Sequence, residues 1–289
     1  MLQDRERIAE ILISYRPTTS EWTFTNLFMW RKSYGLKWSL LENVLFIISE
    51  RNETEIYGFQ PIGCESKYDV ITLLEWLKEE KKQVIPRIER VDKRFISLAS
   101  EIRGISISPM REHFDYVYLR EDLVQLRGKR YRAQRNHISK ALRSYPFEFQ
   151  ILNNEHIKGC LEVHKKWCEI KECDQNESLL AELRAVNEVF TFYDILNLIG
   201  GVITLWGQVV AFTFGEMLND ETMVVHVEKA DPRFPYLYSL INQKFCEVCA
   251  KNAIYINREQ DLGIPGLRNA KMSYHPNHME EKYLVEARW

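Results

Sequence analysis

The 289-residue chain sets 39 Lys and Arg against 41 Asp and Glu, a formal charge of −2, with 45% apolar and 28% charged residues. That balance excludes a disordered chain and argues against a general nucleic-acid coat, while leaving room for a basic groove of limited area. The length predicts two domains.

No apolar run approaches the ~20 residues that span a bilayer. The charged opening M-L-Q-D-R-E-R does not read as an export signal, so a cytosolic protein is expected, with contact at the membrane surface left open. Cys64, Cys160, Cys168, Cys173, Cys246 and Cys249 are too sparse for a disulfide scaffold and are expected to be reduced thiols. Cys246 and Cys249 form a CxxC without a second CxxC or a spaced His pair, so no metal is expected and the two read as packed helix residues.

In chain order, Phe24, Leu27 and Phe28 recur at helical intervals within Trp22–Trp30 and read as core. Val44–Ser49 and Ile56–Phe59 flank a polar turn as a hairpin. Ser66–Lys82 is a helix with Val70, Leu73, Leu74 and Leu77 on one face, Val84–Ile88 a short strand, Lys93–Ile102 a helix and Asp115–Leu119 a strand. A basic helix over Gly128–Tyr145 ends at Pro146. Phe147–Leu152 is a strand, followed by helices His156–Glu172 and Ser178–Phe190. The strands Ile195–Leu205, Val209–Met217 and Thr222–Glu228 have short polar connections and form an antiparallel meander. A helix over Pro235–Lys251, the strand Ala253–Asn257, a glycine-spaced segment and a strand at Lys282–Arg288 complete the chain. The order β-α-α-β-β-β-α-β-α-β matches a GNAT acyltransferase domain, whose mixed sheet splays between its fourth and fifth strands. The first half is consistent with a degraded copy, although no internal repeat is evident.

Three strings resemble one bacterial family. They are S-E-W-T-F-T-N-L-F-M-W-R at Ser20–Arg31, D-Y-V-Y-L-R-E-D-L-V-Q-L-R-G-K-R-Y-R-A-Q-R-N-H-I at Asp115–Ile138, and N-R-E-Q-D-L-G-I-P-G-L-R-N-A-K-M-S-Y-H-P at Asn257–Pro276. Over nearly the whole chain the resemblance is to the C-terminal catalytic domain of phosphatidylglycerol lysyltransferases. It implies an α/β (α+β) fold of two tandem GNAT-like domains, each a mixed, mainly antiparallel sheet flanked by helices. The expected division is 1–145, with the basic linking helix, and 146–289. The wider group, with the Fem-type peptidoglycan transferases, moves an amino acid from aminoacyl-tRNA to a lipid or cell-wall acceptor. The lipid synthases carry a large transmembrane region upstream that this sequence does not contain, which leaves the acceptor open.

The resemblance thus implies an aminoacyl or acyl transferase with aminoacyl-tRNA as the donor and a tRNA or anionic lipid headgroup as partner. CoA is less favoured. Where a CoA-dependent GNAT domain has a glycine-rich loop presenting N–H groups to pyrophosphate, this chain reads V-E-K-A-D-P-R-F-P-Y-L-Y, without glycine and with Pro232 and Pro235. Lys229 and Arg233 can still meet a phosphate there by side chain. Along the basic helix, at ~100° per residue, Tyr131, Ile138, Leu142 and Tyr145 share one face and Lys129, Arg132, Asn136, Lys140 and Arg143 the other. With Arg130 and Arg135 these make a cationic surface without acidic residues at i±4, suited to phosphate. A solvated helix face is the plain alternative. Glu228, at the end of the fourth strand, and Glu259 and Asp261, after the fifth, are candidate bases or ammonium-binding carboxylates. Asp261 equally fits a helix cap. Arg268 and Lys271 are spaced to meet a phosphate together. The alternatives are a CoA-dependent N-acyltransferase on a small amine and a non-catalytic module that docks on tRNA or an anionic membrane.

Overall fold

A computed structural model describes residues 2–289. The chain forms two compact units. The first takes the chain up to Tyr116 with Glu259–Arg268 and Met279–Trp289; the second takes Val117–Arg258 and Asn269–His278. This partition differs from the expected division at 145/146. The basic helix falls in the second unit, because Val117–Leu119 pair antiparallel with Tyr255–Asn257 and carry the following residues with them.

After helices Arg5–Tyr15 and Phe24–Trp30, the first unit holds strands β1 (Leu36–Leu41), β2 (Val44–Glu50), β3 (Ile56–Phe59), β4 (Arg87–Val91) and β5 (Ile105–Pro109). Strand β6 (Asp115–Leu119) leads into the second unit, which holds β7 (Glu148–Ile151), β8 (Ile199–Leu205), β9 (Gln208–Met217), β10 (Thr222–Ala230) and β11 (Tyr255–Asn257). After β12 (His278–Glu280) the chain returns to the first unit with β13 (Tyr283–Ala287). The sheets run β1-β2-β3-β4-β13-β5 and β12-β6-β11-β10-β9-β8-β7. Both are mixed: β3 pairs parallel with β4, and β10 parallel with β11, amid antiparallel neighbours.

Local chemistry explains most of the elements. Ser66, Asp92, Asn153 and Asn176 each accept a backbone N–H from the first turn of the helix they precede, satisfying donors that a helix cannot satisfy itself. Helix Lys67–Glu79 buries Val70, Leu73, Leu74 and Leu77, which join Ile88, Val91, Phe95 and Val285 in the core of the first unit. The strand expected at Val84–Ile88 begins three residues later; Val84 and Ile85 are exposed, and the buried alternation starts only beyond Pro86. Ile195 belongs to a helical turn, Tyr193–Leu196, that Asn197 ends in a left-handed conformation, so β8 starts at Ile199. Cys168 and Cys173 are joined as a disulfide, unlike the six reduced thiols expected. Burial pushes Cys246 and Cys249 up to about 12, which keeps both protonated.

One backbone detail aims the second sheet. A Cβ on Gly215 would lie 2.0 Å from the Val224 carbonyl oxygen, so only glycine lets β9 approach β10 there. Immediately beyond, the β9–β10 register shifts between Val225 and Val227, a bulge that re-sets the facing of the residues that follow.

The first unit also buries a charged knot. Lys282 is wholly buried, 2.6 Å from Asp115 and 2.7 Å from Glu21, with the Ser20 hydroxyl at 3.3 Å. Burial alone would lower its pKa, but the two carboxylates outweigh that and raise it. Replacing Lys282 with Met strands two buried carboxylates and is expected to cost about 3–5 kcal/mol. The measurement is the urea midpoint at pH 7, and a variant as stable as the parent contradicts this assignment.

Candidate functional site

In the second unit the sheet opens where a parallel pair comes apart. Strands β10 and β11 are in register only over Thr222–Val224 and Tyr255–Asn257. Beyond Val224, β10 continues along β9 as far as Ala230. The gap that results is spanned by side chains instead of a backbone ladder.

Arg258, the residue directly after β11, reaches across it. Its Nη2 donates to Glu228 Oε1 at 3.1 Å, and Asn242 Nδ2 donates to the other carboxylate oxygen at 3.3 Å. The guanidinium carbon lies 5.1 Å from the ring centre of Tyr274 and 5.8 Å from that of Tyr118. Burial works against the charge of Arg258, but Glu228 and the two tyrosines outweigh it, so its pKa is raised. The Arg258 carbonyl accepts from Lys271 Nζ, and the Lys271 carbonyl accepts from the Tyr118 hydroxyl at 2.9 Å.

Two buried polar atoms here have no hydrogen-bond partner: Arg258 Nη1, a donor, and Asn242 Oδ1, an acceptor. Their sister atoms both hold Glu228, so donor and acceptor flank one carboxylate. Such atoms are costly unless a ligand completes them. From the same gap a hydrogen-bonded series leads outward. Tyr274 donates to the Ser239 hydroxyl at 3.2 Å, which lies 3.5 Å from His137 Nδ1. His137 stacks on Tyr236, with ring centres 4.8 Å apart, and Lys140 Nζ lies 5.5 Å from the same ring. His137 and Lys140 belong to the basic helix Arg132–Ser144.

That helix packs on Gln134, Ile138 and Ala141. Leu142, expected on the packed face, is 50% exposed. Gln134 takes an inward position instead because its amide donates to the Ser273 carbonyl at 2.8 Å. Lys129, Arg132, Asn136, Lys140 and Arg143 are exposed. Arg130 pairs with Asp122 at 3.0 Å, an acid outside the helix that spacing within it does not reveal. Arg135 donates to the Leu126 and Gly128 carbonyls and so ties down the preceding turn.

The other predicted residues disperse. Glu228 sits in the gap. Lys229, next along β10, points elsewhere, 2.8 Å from Glu182 and 3.5 Å from the Trp167 ring centre. Arg233 is taken by Asp231 at 2.6 Å. In the first unit, Glu259 accepts from Asn26 at 3.3 Å. Asp261 has no exposed surface and accepts from Tyr116 at 2.6 Å, from Arg268 at 2.8 and 3.0 Å, from Arg111 at 3.2 Å and from the Gly263 N–H at 2.8 Å. Burial would raise its pKa, yet Arg268, Tyr116 and the Gly263 amide hold it far below the usual carboxylate range. A carboxylate so engaged is a poor proton acceptor and braces its loop. Arg268 is committed to Asp261 and Lys271 to the Arg258 carbonyl, so they do not converge on one point.

Arg258, Asn242, Ser239, Tyr118 and Tyr274 were not singled out by the sequence. For Arg258 a signal existed: a cation directly after the fifth strand and a carboxylate near the end of the fourth face each other once the strands splay. Among the described residues no group of His, Cys, Asp and Glu is arranged to hold a metal ion. No helix among them is long and apolar enough to cross a membrane.

Residues 14–286 match the family model of the phosphatidylglycerol lysyltransferase C-terminal domain. The chain belongs to that family. A conserved protein of unknown function from Bacteroides thetaiotaomicron is 34% identical, with a TM-score of 0.92 over 100% of this chain and 98% of that one. The structure of L-PGS from Bacillus licheniformis is 13% identical with a TM-score of 0.68, covering 98% and 92%. FemX is 8% identical with a TM-score of 0.60, covering 99% and 95%. The last two share this fold of two mixed sheets flanked by helices. Family and fold together support a general transferase.

The Asp261 brace has a pH signature. A carboxylate with a depressed folded-state pKa stabilises fully above its unfolded value of about 3.9 and loses that contribution as pH falls through the folded value. The stability gap between the parent and Asp261→Asn is therefore expected to be widest at neutral pH and to narrow only in strong acid. Urea titrations across pH 2–7 read it, and a gap independent of pH refutes the charged brace.

Proposed function

We propose that this protein transfers an aminoacyl group from aminoacyl-tRNA to an amine or hydroxyl acceptor, with the reacting carbonyl in the gap beside β10. The observation that carries this reading is the pair of unsatisfied buried atoms, Arg258 Nη1 and Asn242 Oδ1, on either side of Glu228. An aminoacyl ester is already activated, so the protein has to position the acceptor, manage one proton and stabilise an oxyanion.

In this scheme the acceptor nucleophile attacks the ester carbonyl carbon and Arg258 Nη1 donates to the oxygen that gains charge. Asn242 Oδ1 accepts an N–H of the bound amino group. Glu228 takes the proton released by the nucleophile. As the tetrahedral adduct collapses, the carbon–oxygen bond to the tRNA ribose breaks and that oxygen receives the proton. The exposed cations Lys129, Arg132, Lys140 and Arg143 take the phosphates of the acceptor arm.

The loop after β10 supports a donor other than CoA. Its amides are spent within the protein: Arg233 N–H donates to Asp231 Oδ1 at 3.0 Å, and Phe234 N–H to the Asp231 carbonyl at 3.0 Å. Pro232 and Pro235 have no N–H to offer. The family's named member acts on phosphatidylglycerol, so an anionic lipid is the first acceptor to try.

The test is transfer of labelled amino acids from a set of charged tRNAs to a lipid extract and to small amines. Arg258→Met is expected to lower kcat by about 10²–10³-fold with KM little changed, as for loss of an oxyanion donor. Transfer only from acyl-CoA, or full activity in Arg258→Met, overturns the scheme. Charge reversal at Arg132, Lys140 and Arg143 is expected to raise KM for tRNA and to flatten its dependence on salt, leaving kcat near the parent value. An unchanged salt slope removes the helix from the binding face.

A further inference from the structure

The connection between helices Asn154–Lys171 and Glu177–Thr191 in the second unit is cross-linked, and the transfer scheme does not use the bond. Cys168 lies in the last turn of the first helix and Cys173 in the 3₁₀ turn that follows, and the two are joined as a disulfide. Both residues are buried, while residues 169–172 and 174–178 around them are exposed. The bond thus lies just beneath a polar surface turn.

Two features make that turn depend on the bond. Glu172 ends the helix at φ +51°, a left-handed position that helices usually give to Gly or Asn. Such a conformation persists only where the surroundings fix it. Ile170, the one large apolar side chain between the two cysteines, is 55% exposed and gives the turn no anchor in the core. The covalent link is what closes the loop around Glu172.

The turn adjoins the frame of the gap. Trp167 directly precedes Cys168. Its ring centre lies 3.5 Å from Lys229 Nζ, and its indole N–H and the Ala230 N–H both supply hydrogen bonds to the Tyr238 hydroxyl. Lys229 also reaches Glu182 at 2.8 Å, on the helix that leaves the turn. Lys229 and Ala230 continue β10 immediately after Glu228, and Tyr238 lies in the first turn of helix Leu237–Val248, which carries Ser239 and Asn242. One indole therefore connects the cross-linked turn to the strand end and the helix start that hold the gap's side chains.

We propose that the Cys168–Cys173 disulfide is a redox-sensitive staple that sets the position of Trp167 and, through it, the end of β10 and the start of helix Leu237–Val248. A dithiol opens it: one thiolate attacks a sulfur, the S–S bond breaks, and the second thiol resolves the mixed disulfide. Two electrons and two protons pass to Cys168 and Cys173, which become thiols, and the dithiol closes to its own disulfide. With the bond open, the Glu172 turn relaxes and Trp167 loses its fixed place against Lys229 and Tyr238. The bearing on transfer rests on the reaction proposed above; the switch itself does not, and is tested without it.

The full chain is equilibrated with glutathione disulfide, freed of it, and compared before and after addition of dithiothreitol. Alkylation followed by peptide mapping is expected to find Cys168 and Cys173 linked to each other before reduction and both alkylated after it. In the ¹⁵N-labelled protein the Trp167 Nε1–H cross-peak, identified by its loss in Trp167→Phe or by through-bond correlation, is expected to move on reduction. The Tm is expected to fall by about 4–8 °C. The double variant Cys168→Ser, Cys173→Ser is expected to show the reduced values and no response to the dithiol. Cysteines that glutathione disulfide leaves unlinked overturn the proposal, as does a bond that the dithiol cannot open in the folded chain, or a Trp167 signal that does not move. Should the double variant not fold, the parent before and after reduction decides alone.

Discussion

The second unit is organised by the early end of one parallel strand pair. A three-residue match between β10 and β11 is enough to fix their direction and too short to close the sheet. Beyond it, the space that a backbone ladder would fill has to be closed by side chains, and the ones present are Arg258, Glu228 and Asn242. Packing hydrophobic groups there would serve stability at least as well, since a buried ion pair gains little over an apolar substitute. The gap holds a charge pair with one unsatisfied atom on each supporting residue, an arrangement that folding stability alone does not call for.

Precision in that gap comes from backbone features some distance along the strand. Gly215 permits the close approach of β9 to β10, and the bulge between Val225 and Val227 re-sets the facing of the strand just before Glu228. The consequence is visible in neighbouring residues. Glu228 meets Arg258 and Asn242, while Lys229 meets Trp167 and Glu182. A slip of one residue would exchange them, placing an ammonium where the carboxylate stands. Rigid elements hold the groups: a strand end, a strand terminus and helix Leu237–Val248.

Much of this architecture is legible in the sequence, and the limits are physical. The meander β8-β9-β10 and the strand Asp115–Leu119 follow from apolar alternation, and the long helices from their spacing and caps. The strand β12 carries too few residues for a period to show, β5 has no buried alternation, and Pro86 shifts the start of β4. For the site, Glu228 could be found because its position along the strand sets its place. Arg258 carried the matching signal, a cation directly after the fifth strand, which gains meaning only once the splay of the two strands sets it opposite Glu228. Asp261, Arg233, Lys229 and Arg268 look available as sequence, but each is engaged by a partner remote from it or by a turn neighbour. Charge counts do not reveal pairing.

The same distinction decides what the basic helix offers. Of the cations in its sequence, Arg130 answers Asp122 and Arg135 closes two carbonyls, so neither is at liberty to hold a ligand. What is left is a smaller set, Lys129, Arg132, Lys140 and Arg143, exposed and spread along one side. Such a face gives affinity that falls with salt and carries no information about sequence or amino acid. In the proposed transfer reaction discrimination would then fall to groups where water is excluded and an unmatched polar atom is costly, which in the second unit are Arg258 and Asn242. His137 joins the two: it belongs to the basic helix and stands beside Ser239, which takes its other contact from Tyr274 in the gap. The basic helix is therefore packed, through His137 and Ser239, against the residues that line the gap.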